Sequence, residues 1–171
     1  MQRDEVPTVH MVRKLHKTVW WLAVAAVGSG CLSTAPPTTE AAKAPALQRL
    51  DGSAQPFAAL LGDKRQLLLV YTTVWDERGR KERPEVEAWA TRHKTLVKVI
   101  SINSGSRAKK VREHLARHAV TIDQVPLYID ASARLAEYHR IHATPTLVLF
   151  GVDGVEVGRY ESIAKVPVPK P

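Results

Sequence analysis

The sequence predicts an α/β fold with a central mixed sheet, and three observations carry that expectation. Apolar runs rich in Leu, Val and Ile at 67–71, 96–102 and 147–150 have the length of buried strands. Between them, 80–93 and 106–119 place apolar residues three and four apart, the period of a helix that buries one face. The chain then runs strand, Asp153-Gly154, strand, which is a hairpin signal. Strands alternating with helices and closed by a hairpin give helices packed on a mixed sheet.

Taken in order, Leu50-Asp51-Gly52-Ser53 reads as a strand end and turn, and Phe57 to Gly62 as a short helical turn. The first long helix is expected from Arg80 to His93, with Val86, Trp89, Ala90 and His93 along one face and Pro84 kinking it or marking its first regular turn. The second, over 106–119, turns Ala108, Val111 and Leu115 inward. Pro126 to Asp130 is extended, and 132–138 is a short helix capped by Asp130 or Ser132. The last strand runs over 155–160. The folded domain is expected over 47–164, followed by a Pro-rich tail over 165–171.

With 44% hydrophobic and 25% charged residues, the composition is that of a globular chain rather than a disordered or fibrous one. The net charge of +8 is spread over helix surfaces, and acids alternate with bases between Asp76 and Glu87, which reads as a solvated face. No zinc-finger spacing or interleaving of aromatic and basic residues supports nucleic-acid binding.

Residues 1–30 read as a signal peptide. Arg13, Lys14 and Lys17 form a positive n-region, and Val19 to Val27 an apolar run too short for a comfortable membrane span. Gly28-Ser29-Gly30 supplies small residues before Cys31, the chain's single cysteine. Met11 makes a better start than Met1, because Asp4 and Glu5 are unusual in a basic n-region. The segment resembles a bacterial lipoprotein processing site, which implies lipidation of Cys31, a membrane anchor and a periplasmic, cell-envelope location. Gly28 departs from the larger aliphatic residue usual three positions before that cysteine. Residues 31–46, rich in Ala, Pro and Thr, read as a tether.

Val70 to Pro84 runs Val-Tyr-Thr-Thr-Val-Trp-Asp-Glu-Arg-Gly-Arg-Lys-Glu-Arg-Pro. It resembles the strand and helix of the TlpA-like thioredoxin family, where tryptophan is followed by cys-x-x-cys and arg-lys-glu-x-pro. Asp76 and Gly79 stand at the two cysteine positions. The entry pattern around Leu50-Asp51-Gly52 and the loop Ala143-Thr144-Pro145-Thr146 resemble the same family, so the likeness covers roughly 47–163. It implies a thioredoxin-like fold, a cis Pro145 and descent from thiol-disulfide oxidoreductases.

Exchange needs a thiolate attacking a sulfur, which neither a carboxylate nor a glycine provides. The resemblance therefore implies a degenerate site with no catalytic residue and no cofactor. It also implies a protein or peptide partner held near Trp75, Asp76, Thr144 and Pro145. Asp76 suits a helix N-terminus both as a cap and as an anion, whereas Gly79 within a helix costs about 1 kcal/mol. Two other expectations stay open: a role in a redox pathway through Cys31 or a partner's thiols, and a purely structural envelope lipoprotein. The peroxiredoxin thiol, three residues after a threonine, is missing too, since Thr73 is followed at that distance by Asp76.

His114 and His118 lie one helical turn apart, and His139 and His142 are three apart, but tetrahedral zinc wants further ligands. They read as surface or interface histidines, with no metal. Trp75 and Trp89 read as core or rim packing. The family closes with a C-terminal helix, whereas here at most one turn fits after Tyr160. That shortening predicts a less covered sheet face, open to a homo-oligomeric or partner contact.

Overall fold

The computed structural model describes residues 45–61, 64–122 and 124–169. Residues 1–44, where the signal peptide, Cys31 and most of the tether are expected, lie outside the described residues. Seven strands form one sheet: β1 (Ala46–Arg49), β2 (Ala54–Pro56), β3 (Gln66–Thr72), β4 (Val97–Ser104), β5 (Leu127–Asp130), β6 (Thr146–Phe150) and β7 (Glu156–Tyr160). Their spatial order is β2-β1-β5-β4-β3-β6-β7. The central pairs β3–β4 and β4–β5 are parallel, and the outer pairs are antiparallel. The helices are α1 (Ala58–Leu61), α2 (Glu77–His93), α3 (Ala108–Arg117) and α4 (Arg134–Tyr138), and a 3-10 turn follows at Ile163–Lys165.

β3 is apolar along its length because both its faces are covered, as expected of a central strand between helical layers. Leu67, Leu69 and Tyr71 pack on one face with Phe57, Leu60, Leu135, Ala136 and Val148. Leu68 and Val70 pack on the other with Val86, Trp89 and Ala90 of α2. On that second face, α3 adds Val111 against Leu127 and Ile129. Glu87 of α2 pairs with Arg83 and also accepts the amides of Gln124 and Val125, which fastens the approach to β5 onto the helix.

Several boundaries differ from the sequence expectation. α2 begins at Glu77, one turn before Arg80, because the Asp76 carboxylate caps it; Pro84 therefore sits well inside the helix. α3 is shorter than 106–119, ending where Ala119 takes a left-handed φ of 49°. α4 starts at Arg134 rather than Ser132, and its cap comes from Asp130 at the end of β5, whose Oδ2 accepts the Leu135 and Ala136 amides. The β1–β2 hairpin completes the strand end and turn anticipated around Leu50 to Ser53.

The face expected to lack a C-terminal helix is partly covered instead. Ile163 and Val166 are buried in the same cluster as Val86, Trp89 and Ala90, so one turn and the residue after it fill that position.

Candidate functional site

The C-terminal ends of the parallel strands β3 and β4 converge where α/β sheets tend to bind ligands. A groove of about 650 Å³ opens there, with Thr73, Trp75 and Ser104 on one side and Arg140, His142 and Thr144 on the other. Trp75 is 64% exposed, which is unusual for so large an apolar ring and corrects the expectation that it packs like Trp89. The Lys110 ammonium stands 5.2 Å from its ring centroid, a cation–π contact. Gly105, with φ +71°, lets the chain turn beneath the ring: a Cβ there would lie 4.0 Å from the indole.

The opposite wall is the loop from α4 to β6. The Thr144–Pro145 peptide is cis, and Thr146 donates its hydroxyl to the Ala143 carbonyl at 2.7 Å. Pro145 itself is buried, and Thr144 before it reaches the groove together with His142 and Ala143. Two non-glycine residues in the groove wall, Ala133 (φ 56°) and Arg140 (φ 53°), hold left-handed conformations. Such conformations are uncommon outside glycine.

Asp76 does not line this groove. Its Oδ1 accepts the Gly79 amide at 2.8 Å, as an N-cap does. The carboxylate faces a separate cavity of about 40 Å³ shared with Gly79, Arg80, Asn103 and His114. Among the described residues Asp76 Oδ2, Thr73 Oγ1 and Asn103 Oδ1 are buried without a hydrogen-bonding partner. Of the four residues assigned to binding from the sequence, the structure thus places Trp75 and Thr144 on one groove, Pro145 beneath it and Asp76 behind it.

Gly79 now has a physical account. A Cβ there would stand 2.5 Å from Asp76 Oδ2 and 3.0 Å from Thr72 Cγ2. The capping carboxylate occupies the space a side chain at position 79 would need, so aspartate and glycine fit as a pair. Gly79→Ala should gain about 1 kcal/mol of helix propensity and lose about the same by displacing the cap. We expect a net change near zero in the natural chain and a stabilisation of about 1 kcal/mol in an Asp76→Ala background. Urea unfolding of the four proteins in that cycle measures the coupling.

The histidines separate by environment. His114 and His118 stack with centroids 4.6 Å apart, and burial together with the neighbouring His118 lowers the His114 pKa. His139 is buried and its Nδ1 lies 2.5 Å from the Tyr71 hydroxyl, while His142 lines the groove. No group of three or more metal-ligating side chains comes together among the described residues.

No protein-family model matches the sequence, and neither does any curated protein. Solved structures do. A secreted Mycobacterium tuberculosis disulfide oxidoreductase homologous to E. coli DsbE superimposes with a TM-score of 0.56 at 15% identity, covering 69% of this chain and 83% of that one. StoA from Bacillus subtilis gives 0.55 at 17%, covering 68% and 86%. The N-terminal domain of PilB from Neisseria gonorrhoeae gives 0.54 at 21%, covering 68% and 78%. The domain is a thioredoxin fold. Within that fold, Trp75 and Asp76 occupy the turn from β3 into α2, Gly79 lies in the first turn of α2, and Thr144-Pro145 leads into β6. The sequence resemblance puts Trp75, Asp76, Thr144 and Pro145 at one site; what it misses is the groove's further lining, Ser104, Arg140 and His142 among it, and the exclusion of Asp76. Those features follow from the three-dimensional course of the α4–β6 loop.

Proposed function

We propose that this thioredoxin-fold protein is exported and anchored in the cell envelope through a lipidated Cys31, has lost thiol-disulfide chemistry, and holds an extended protein or peptide segment in the groove between Trp75 and Thr144. One observation carries the reading. The positions of the exchanging thiols hold a capping carboxylate and a glycine fitted to it, while a large groove with an exposed tryptophan persists beside them. The cap is spent on the α2 amide, so Asp76 serves the fold, and the groove is left for recognition. Export is supported by the leader pattern and by a structural neighbour described as secreted.

Purified protein should reduce insulin disulfides and consume peroxide no faster than its Cys31→Ser variant and the buffer blank. Turnover that disappears with Cys31 would restore the redox reading. For binding, a photo-crosslinking residue at Thr144 in intact cells should yield a discrete adduct that the same residue at Val152, an exposed position in the β6–β7 turn, does not. Equal yields from both positions would favour a purely structural lipoprotein.

A further inference from the structure

We propose that the segment held in this groove is acidic, an inference that rests on the groove being a peptide site at all. The charges around it are sorted unevenly. On α2 three of the five Arg and Lys residues are neutralised within the helix: Glu77 pairs with Arg80 and Lys81, and Glu87 with Arg83. On α3 they are not. Arg107, Lys109, Lys110 and Arg112 are exposed against the single acid Glu113, and none of them has a carboxylate partner within 4 Å among the described residues. Three of these cations sit at or before the first turn of α3, which holds no acid and no side-chain cap. That end of a helix already carries partial positive charge, so cations there work against the helix unless an anion joins them.

The α3 cations reach the groove through Lys110, whose ammonium lies over the Trp75 ring. Across the groove stand Arg140 and His142, with the Arg140 side chain exposed. The acids nearby are spent or turned away. Asp130 holds the α4 amides, and Asp76 caps α2 from behind the groove. Glu137 is the one acid on the groove wall. It lies on the α4 side, so the ligand's carboxylates belong beside the cations Lys110 and Arg140 and away from Glu137. Complementary charge of this kind selects partners and speeds their encounter more than it adds raw affinity.

Fluorescence polarisation of the full chain with three labelled peptides tests the inference. They share one frame of alternating Thr and Val and carry Glu, Gln or Lys at the central outward positions. The Glu peptide should bind about tenfold tighter than the Gln peptide at low salt, with the Lys peptide weakest, and the gap should shrink as salt screens the charges. Lys110→Gln and Arg140→Gln should each cut the Glu advantage about threefold without weakening the Gln peptide. Thr144→Trp, which adds bulk without charge, should block all three. Equal binding of the Glu and Gln peptides, both blocked by Thr144→Trp, would overturn the acidic preference and keep the groove. Glu-peptide binding that survives Thr144→Trp would place the anion outside the groove and overturn the proposal. Displacement of the Glu peptide by phosphatidylglycerol vesicles, sensitive to Lys110→Gln but not to Thr144→Trp, would assign the cations to a membrane surface. Failure of all three peptides would overturn the inference and the groove reading together.

Discussion

Between pH 7 and pH 4 the folded domain should lose about 3 kcal/mol of stability through one imidazole, that of His139. Its ring is enclosed by Phe57, Tyr138 and Phe150 at centroid distances of 5.0, 5.1 and 5.3 Å, and its Nδ1 meets the Tyr71 hydroxyl. Burial, and then the nearby Arg159 guanidinium, push its pKa down to about 4, against a smaller opposing pull from Glu156. Burial likewise raises the Tyr71 phenol, so that partner stays protonated and neutral. In the unfolded chain the same histidine takes up its proton near 6.5. Over the interval from 6.5 down to 4 the unfolded state binds more protons than the folded one, so stability falls as the pH falls. The contribution is complete above that interval and gone below it. The lowered carboxylates Glu77, Glu156 and Glu161 act in the same direction but at lower pH, as they take up protons below their ordinary value of 4.5. Urea unfolding at stepped pH separates the two windows. His139→Phe should be less stable at pH 7, because the Tyr71 hydroxyl loses its partner, yet much flatter between pH 6.5 and 4.5, where His114 is the histidine with a lowered pKa that still contributes a slope of the same sign. A natural protein as flat as that variant would refute the assignment.

What the sequence disclosed, and what it did not, follows from which forces act locally. The alternation of apolar runs with helical periods disclosed β3, β4, β6, α2 and α3, because strand and helix spacing are imprinted by the core those elements share. The capping role of Asp76 was legible through the resemblance, which placed it at a helix start, where a carboxylate caps. The start of α2 at Glu77 was not, because it depends on which amide the carboxylate chooses, and that is Gly79. The role of Gly79 was hidden further, since it is a matter of the space left by Asp76 and Thr72. His139 and His142 looked alike in sequence. Only their positions on either side of Arg140, whose φ of 53° turns the chain, send one into the core and the other to the groove.

The pairing of Asp76 with Gly79 also bears on the chemistry. A helix N-terminus that lowers the pKa of a thiol stabilises any anion placed there. On the proposed reading, a carboxylate at that position supplies an anion without a nucleophilic sulfur. In this chain it accepts the amide of the third residue of the helix. The turn from β3 into α2 is therefore held by a cap, and Trp75 before it is free to face outward.

Ile163→Ala should cost about 3 kcal/mol, a large effect for a residue in a single 3-10 turn next to a Pro-rich tail. Ile163 is 4% exposed and Val166 5%, and both pack on Val86, Trp89 and Ala90 of α2. The turn is tied down at two points: the Glu82 carboxylate accepts the Ile163 amide, and Arg78 donates to the Glu161 carbonyl at 3.1 Å. Emptying a site held so firmly leaves a cavity that the chain cannot easily close, so the loss includes more than the transfer of the missing methylenes. Val168→Ala, two residues past Val166 and 70% exposed, should change stability by less than about 0.5 kcal/mol and serves as the control. If Ile163→Ala were as mild as Val168→Ala in chemical denaturation, the turn would merely drape over α2. The sheet face would then be open to a second chain, as the shortened sequence first suggested. A large loss confined to Ile163 and Val166 means that the domain closes this face with its own tail, which leaves recognition to the groove beside Trp75.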